Sequence, residues 1–172
     1  MAEVQLTLRP VRYEDEDVVR AAQRFLAVDD FDFAVGWQPG MAWATYVEVL
    51  DELRRARRLP EPWVPATFLL AEVDGEVVGR TSIRHELNDY LLAVGGHIGY
   101  AVLPDHRRRG HGSEILRQSL VIARSFDVAR VLVTCDEENE ASARIIRRHG
   151  GTLVDVVDDP DCMKRKQRYW IG

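Results

Sequence analysis

The sequence predicts an α/β fold of the α+β kind: a mixed, mostly antiparallel sheet of seven strands flanked by about four helices. Three observations predict it. Asp74-Gly75 sits between two apolar runs, a strong hairpin signal. A second pair of strand-like runs flanks Asp159-Pro160-Asp161 near the C-terminus. Hairpins make antiparallel neighbours. Between the two hairpins, an apolar run at Ile98–Leu103 leads through an amphipathic stretch to a second run at Arg130–Cys135, and strand–helix–strand connections of that length make a parallel pair. The chain of 172 residues is long enough for one domain with a real core, and it reads as one domain over residues 1–172.

In chain order, Val4–Arg9 alternates apolar and polar residues as a first strand, closed by Pro10. Glu14–Asp17 is an acidic, solvated first turn of a helix that runs to about Ala27, with Val18, Ala22, Phe25 and Leu26 inward. Asp29–Gly40 is a loop whose Phe31, Phe33 and Trp37 either pack beneath it or wall a substrate pocket. A second helix spans about Met41–Arg57, with Trp43, Val47 and Leu50 at helical spacing and the basic run Arg54–Arg58 at its end. Pro60, Pro62 and Pro65 exclude a helix and make a surface strap. The first hairpin pairs Thr67–Val73 with Glu76–Leu87, and Asn88–Gly95 crosses to the central strand. A third helix covers about Gly112–Phe126, with Ile115, Leu116, Ser119, Leu120, Ile122, Ala123 and Phe126 inward. A fourth begins at Asn139 and stops at His149-Gly150-Gly151. Thr152–Val157 and Lys166–Ile171 close the sheet.

The chemistry concentrates where Pro104 ends the central strand. Arg107-Arg108-Arg109-Gly110-His111-Gly112 is a basic, glycine-punctuated turn at a helix start. The first amides of a helix lack intrahelical partners and carry the positive end of its dipole, so such a turn can cradle phosphate. GxGxxG and GxxxxGK[ST] are both absent, which excludes the usual dinucleotide and nucleotide loops. What remains is Arg107-x-x-Gly110-x-Gly112.

This turn resembles the acyl-CoA signature R/Q-x-x-G-x-G/A of the GCN5-related N-acetyltransferase (GNAT) superfamily. Asn139-Glu140-Ala141-Ser142, with Gly150-Gly151 after it, resembles the superfamily's second motif, and the element order matches its fold over nearly the whole chain. The resemblance implies a GNAT-like sheet with a splayed parallel strand pair in its centre. It implies acetyl-CoA as co-substrate, and since neither CxxC nor HxxxH appears in the sequence no metal is expected. Backbone groups of Ala101, Val102 and Leu103 would hold the pantetheine arm. Arg107, Arg108, Arg109, Gly110, His111, Gly112 and Ser113 would hold the pyrophosphate, and Asn139 and Ser142 would contact the arm or phosphates. Backbone donors near the thioester would stabilise the oxyanion.

Two correspondences fail. Many members carry a glutamate base early in the central strand and a tyrosine acid on the fourth helix; here those positions are Gly96 and Ile146. The base is therefore sought at His97, which begins the central strand, or His85 on its neighbour, because imidazole titrates near neutral pH. Tyr169 and Tyr100 are the candidates for protonating the thiolate. His106 and His111 either touch phosphate or are solvated, and His149 is expected to satisfy the last carbonyls of its helix.

The leading reading is an N-acetyltransferase acting by direct attack of a primary amine, on a small molecule or peptide. Two alternatives stand beside it. Cys135 could accept the acyl group, although Asp136, Glu137 and Glu138 would raise its pKa. The missing glutamate and tyrosine would also suit a non-catalytic acyl-CoA-binding sensor. Asp29, Asp30 and Asp32 favour a cationic acceptor. The net charge of −5 argues against nucleic acid as a general partner. No apolar run approaches a membrane span. Met1–Pro10 lacks the apolar core of a signal peptide, so the expected location is cytoplasmic, with Cys135 and Cys162 as reduced thiols. A homodimer is left open.

Overall fold

The structure, a computed structural model, describes residues 5–57 and 59–172. Val4, the expected start of the first strand, and Arg58, the end of the basic run, lie outside them. The described strands are β1 (Thr7–Arg9), β2 (Ala66–Val73), β3 (Glu76–Arg84), β4 (Ile98–Val102), β5 (Val131–Asp136), β6 (Thr152–Asp158) and β7 (Arg165–Ile171). They form one sheet in the order β1-β2-β3-β4-β5-β7-β6. Every neighbouring pair is antiparallel except β4 and β5. The mixed seven-stranded sheet expected from the sequence is thus present. Asp74 and Gly75 both take left-handed conformations, the geometry that lets two residues close a hairpin.

Four α-helices among the described residues cover the two faces: α1 (Glu16–Leu26), α2 (Trp43–Arg54), α3 (His111–Ser125) and α4 (Glu140–Arg148). On one face, α1 and α2 bury Val19, Leu26, Tyr46 and Leu50 against Phe68 and Leu70 of β2. On the other, α3 and α4 bury Leu116, Leu120 and Ile146 against Ile98, Val133 and Tyr169.

Several local expectations need correction. The stripe buried by α1 is Val19, Ala22 and Leu26, and Phe25 is 62% exposed; a short 3-10 turn at Tyr13–Asp15 sets the helix phase. That turn is not merely solvated. Asp15 is buried and takes a two-pronged bond from Arg9 at 2.7 and 2.9 Å, while Arg9 also reaches Glu72. Helix α2 stops at Arg54, because Ala56 turns left-handed. The loop aromatics pack: Phe33 is fully buried, and Phe31 and Trp37 lie against the same core. The crossing segment holds a single π turn, Leu91–Gly95, started by Asn88 Oδ1 accepting from the Leu91 amide at 2.9 Å.

Candidate acyl-CoA site

The site is built where β4 and β5 part. These parallel neighbours share one paired position, Ile98 with Val133. Strand β4 continues to Val102 against β3 alone. Hydrogen bonds alternate along an antiparallel ladder. The Leu103 amide donates to Val78 O at 2.8 Å, so Ala101 and Leu103 turn their polar groups to β3. Tyr100 and Val102 turn theirs into the gap. Of the three expected pantetheine residues, Val102 therefore offers its backbone to the gap, and Tyr100 joins it. The Val102 carbonyl also accepts from Arg107 Nε at 3.1 Å.

At the open end of the gap lies the basic turn. Arg108 and Gly110 have φ of 62° and 86°, and left-handed residues interspersed in a turn fold successive amides into an anion-binding concavity. Helix α3 starts immediately after, capped by Gly110. Among the described residues no group accepts from the amides of residues 108–113, so six consecutive donors face this end of the gap or solvent. Gly112 permits the helix to sit close: a Cβ there would lie 3.1 Å from Ile145 Cδ1, 3.5 Å from Val102 Cγ2 and 3.6 Å from Tyr100 Cε2. Arg107, Arg108 and Arg109 are exposed around the turn. Burial, then His106 and Arg109, hold the His111 imidazole below its usual pKa. The Ser113 hydroxyl bonds His149 Nε2 at 2.8 Å, which leaves its amide for the cradle. His149 thus ties α4 to α3 through its ring.

Across the gap, Asn139 Oδ1 accepts from the Ser142 amide at 3.0 Å and caps α4. The Ser142 hydroxyl meets the Tyr100 hydroxyl at 3.0 Å. Burial pushes the Tyr100 phenol up to about 12, against the opposing effect of Ser142. It is a neutral proton donor at physiological pH. Cys135, also beside Ser142, is pushed up to about 11, chiefly by burial. Its acidic neighbours matter less than the sequence suggests, and a buried thiol is a poor nucleophile.

The other candidates are placed apart. His97 is buried, and its Nδ1 accepts from the Leu132 amide at 2.9 Å. Burial, then Arg84, lower its pKa to about 4. Its ring is neutral, and the lone pair that a base would use is occupied. His85 lies on the opposite sheet face, stacked on Phe126 at 3.7 Å between centroids and bonded to Thr67 Oγ1 at 2.9 Å. Phe126 follows the C-terminal end of α3 and the cradle sits at its N-terminal end. The two histidines face away from each other and form no relay. Tyr169 is fully buried, donating to Gln167 Oε1 and accepting from Arg147 Nη2 at 3.2 Å. Ile146 is fully buried in the core. No group of three or more His, Cys, Asp or Glu among the described residues is placed to hold a metal, and no described helix is long and apolar enough to cross a membrane.

The sheet thus opens between its central strands, with the free amides of a helix start at the open end. The chain belongs to the GNAT acetyltransferase domain family, whose profile matches residues 5–152. No curated protein matches the sequence. Solved structures share the fold. RimJ from Mycobacterium smegmatis, in complex with CoA-disulfide, is 19% identical, with 96% of this chain and 81% of that one covered and a TM-score of 0.71. yncA from Salmonella typhimurium, solved with its cofactor acetyl-CoA, is 15% identical over 97% and 93%, TM-score 0.66. Spermidine N-acetyltransferase from Vibrio cholerae, with CoA and spermine, is 14% identical over 97% and 95%, TM-score 0.67.

Proposed function

We propose that this chain is a single acyl-CoA N-acyltransferase domain that moves acetyl from acetyl-CoA to a primary amine of a small molecule or peptide. The observation that carries the reading is the gap beyond the Ile98–Val133 pair, which opens onto the unpartnered amides of residues 108–113. An anion suits those amides, and the groups of Tyr100 and Val102 suit an extended amide-bearing arm. Bound acetyl-CoA supplies a thioester whose carbonyl carbon the amine attacks, the C–N bond forming to give a tetrahedral oxyanion that collapses as the C–S bond breaks. Arg107–Arg109 and the cradle fix the phosphates. Tyr100 delivers its phenolic proton to the departing sulfur and is reprotonated from solvent. Tyr100 fits that role better than Tyr169, whose hydroxyl is tied to Gln167 and Arg147. The amine sheds its own proton to solvent, since the basic nitrogen of His97 is taken by the Leu132 amide and His85 stacks on Phe126 away from the gap. Holding amine and thioester together supplies much of the rate.

Calorimetric titration with acetyl-CoA, followed by thiol detection of CoA release with an amine panel, tests the reading. Binding and amine-dependent release are expected. Binding with no release under any amine would favour the sensor, and no binding would remove both.

A further inference from the structure

On the α1–α2 face, a cavity of about 250 Å³ lies between α2, the proline-rich strap and β3. Its walls are largely apolar and include Val35, Leu53, Trp63, Phe68 and Leu91. Arg84 lines it, and no acidic residue does. The Arg84 guanidinium makes only two long bonds, Nη1 to the carbonyls of Gly95 and Gly96 at 3.3 Å each. Its Nε and Nη2 have no acceptor among the described residues. Behind it stands Arg80, 4% exposed. Arg80 donates to the backbone carbonyls of Gly99 and Asp32 at 2.8 and 2.7 Å, and its Nε is buried without a partner among the described residues. Phe31 lies under its guanidinium at 4.8 Å. Neither arginine has a carboxylate within ion-pair distance among the described residues.

A buried guanidinium beside a half-buried one, neither in an ion pair among the described residues, is costly. An arginine fork is shaped to take a carboxylate with two parallel bonds. The pair also stands at the right place. A Cβ on Gly99 would meet Arg84 Nη1 at 3.3 Å and Arg80 Nη1 at 3.6 Å, so the bare glycine admits both groups over β4. Gly99 follows Ile98, the last position at which β4 touches β5. An anion bound here brings the rest of its molecule to the mouth of the gap. The acidic residues that favour a cationic acceptor, Asp29, Asp30 and Asp32, line no part of this cavity.

We infer that the acceptor is an apolar α-amino acid: its carboxylate takes the open fork of Arg84, backed by Arg80, and its side chain fills the cavity. This rests on the transferase reading above and adds the acceptor's class to it. The amine nitrogen attacks the acetyl carbon, the thiolate leaves with a proton from Tyr100, and the second amine proton goes to solvent, giving the N-acetyl amino acid and CoA.

The test compares leucine, methionine and phenylalanine with their amides as acceptors, and N-acetyl-leucine with N-acetyl-leucinamide as ligands in thermal unfolding. At least one acid is expected to exceed its amide tenfold in kcat/KM, although the amide is the larger fraction free base at neutral pH. N-acetyl-leucine should raise the unfolding midpoint and its amide should not. Arg84→Gln should shrink the acid-to-amide preference at least tenfold, and Arg84→Lys, which keeps the charge and loses the fork, should shrink it less. Acetyl-CoA binding with amides used as well as acids, and no midpoint shift, would overturn the inference and leave the transferase standing. Failure to bind acetyl-CoA would overturn the transferase itself and this acceptor with it.

Discussion

Replacing Gly110 by Asn or by Asp separates charge from shape in the cradle. Both residues tolerate the left-handed conformation better than other non-glycine residues, so the φ of 86° strains them alike. A Cβ at Gly110 meets nothing within 4 Å, so neither side chain clashes. The variants differ by one negative charge beside the expected pyrophosphate. At about 5 Å, one pair of like charges costs about 0.8 kcal/mol at the dielectric of water and about 3 kcal/mol at an effective dielectric of 20. The turn is exposed, so the lower figure governs, doubled for two phosphate charges. That is about 1.7 kcal/mol, a little over tenfold in affinity. Titration calorimetry at low salt should show Gly110→Asp binding acetyl-CoA at least tenfold more weakly than Gly110→Asn. The difference should shrink at about 1 M salt, where the screening length falls to about 3 Å. Equal affinities at low salt would refute the cradle.

Four further outcomes are expected. Asn139→Ala should cost about 1 kcal/mol of stability through the lost cap, read from urea midpoints, and any additional loss of acetyl-CoA affinity would mark a contact with the ligand. Tyr100→Phe should lower kcat at least tenfold at unchanged acetyl-CoA affinity; an unchanged kcat would show that the thiolate leaves unaided. His97 is held neutral to about pH 4 while an unfolded histidine protonates near 6.5, so stability should be complete above pH 6.5 and fall by about 3 kcal/mol towards pH 4; His97→Asn, which keeps an acceptor for Leu132, should flatten that slope. Asp15, which burial pushes up but Arg9 and the Arg12 amide hold below its usual pKa, contributes stability that is lost only below about pH 4, and Asp15→Asn should destabilise the fold by about 3 kcal/mol, the lower range for breaking a buried pair, because Glu72 still faces Arg9.

The parts of the fold that were legible are those governed by local rules. Asp74-Gly75 can close a hairpin wherever it sits, and Gly110 before an amphipathic run marks a helix start. Periodicity misled where a short turn reset the phase: Val18 and Val19 are adjacent, and the turn at Tyr13–Asp15 precedes the helix that buries Val19. The basic turn and the helix start after it could be read because consecutive residues make them, and the phosphate cradle proposed there rests on that turn. The proposed catalytic groups could not be read in the same way, because partners distant in sequence set their surroundings. His97 looks like a base until Leu132, 35 residues away, claims its lone pair. The surroundings that favour the role proposed for Tyr100 include Ser142, 42 residues away. Arg80 and Arg84 did leave a trace. They stand four apart in a strand whose interior carries no other charge, hence on one face, and a charged pair on a buried face asks for a partner.

The proposed mechanism uses no side-chain base, and energetic grounds allow that. If the amine's pKa lies about two units above ambient pH, drawing only on its free form costs about 3 kcal/mol. Holding two reactants in an attack geometry can recover about 7–11 kcal/mol. The second quantity exceeds the first, so positioning can outweigh the missing base, provided the positioning is tight. The sheet divides that work between its faces. The α3–α4 side, through the cradle, Tyr100 and Ser142, would fix the thioester. The α1–α2 side, through Arg84 and Arg80, would fix the acceptor. Strand β4 is the common wall, and both guanidinium groups crowd onto it at Gly99. On this reading kcat/KM rises with pH up to the acceptor's own pKa, with no break near neutrality in wild type or in His97→Asn. A break between about pH 6 and 7 that disappeared with His97 would return the proton to the imidazole.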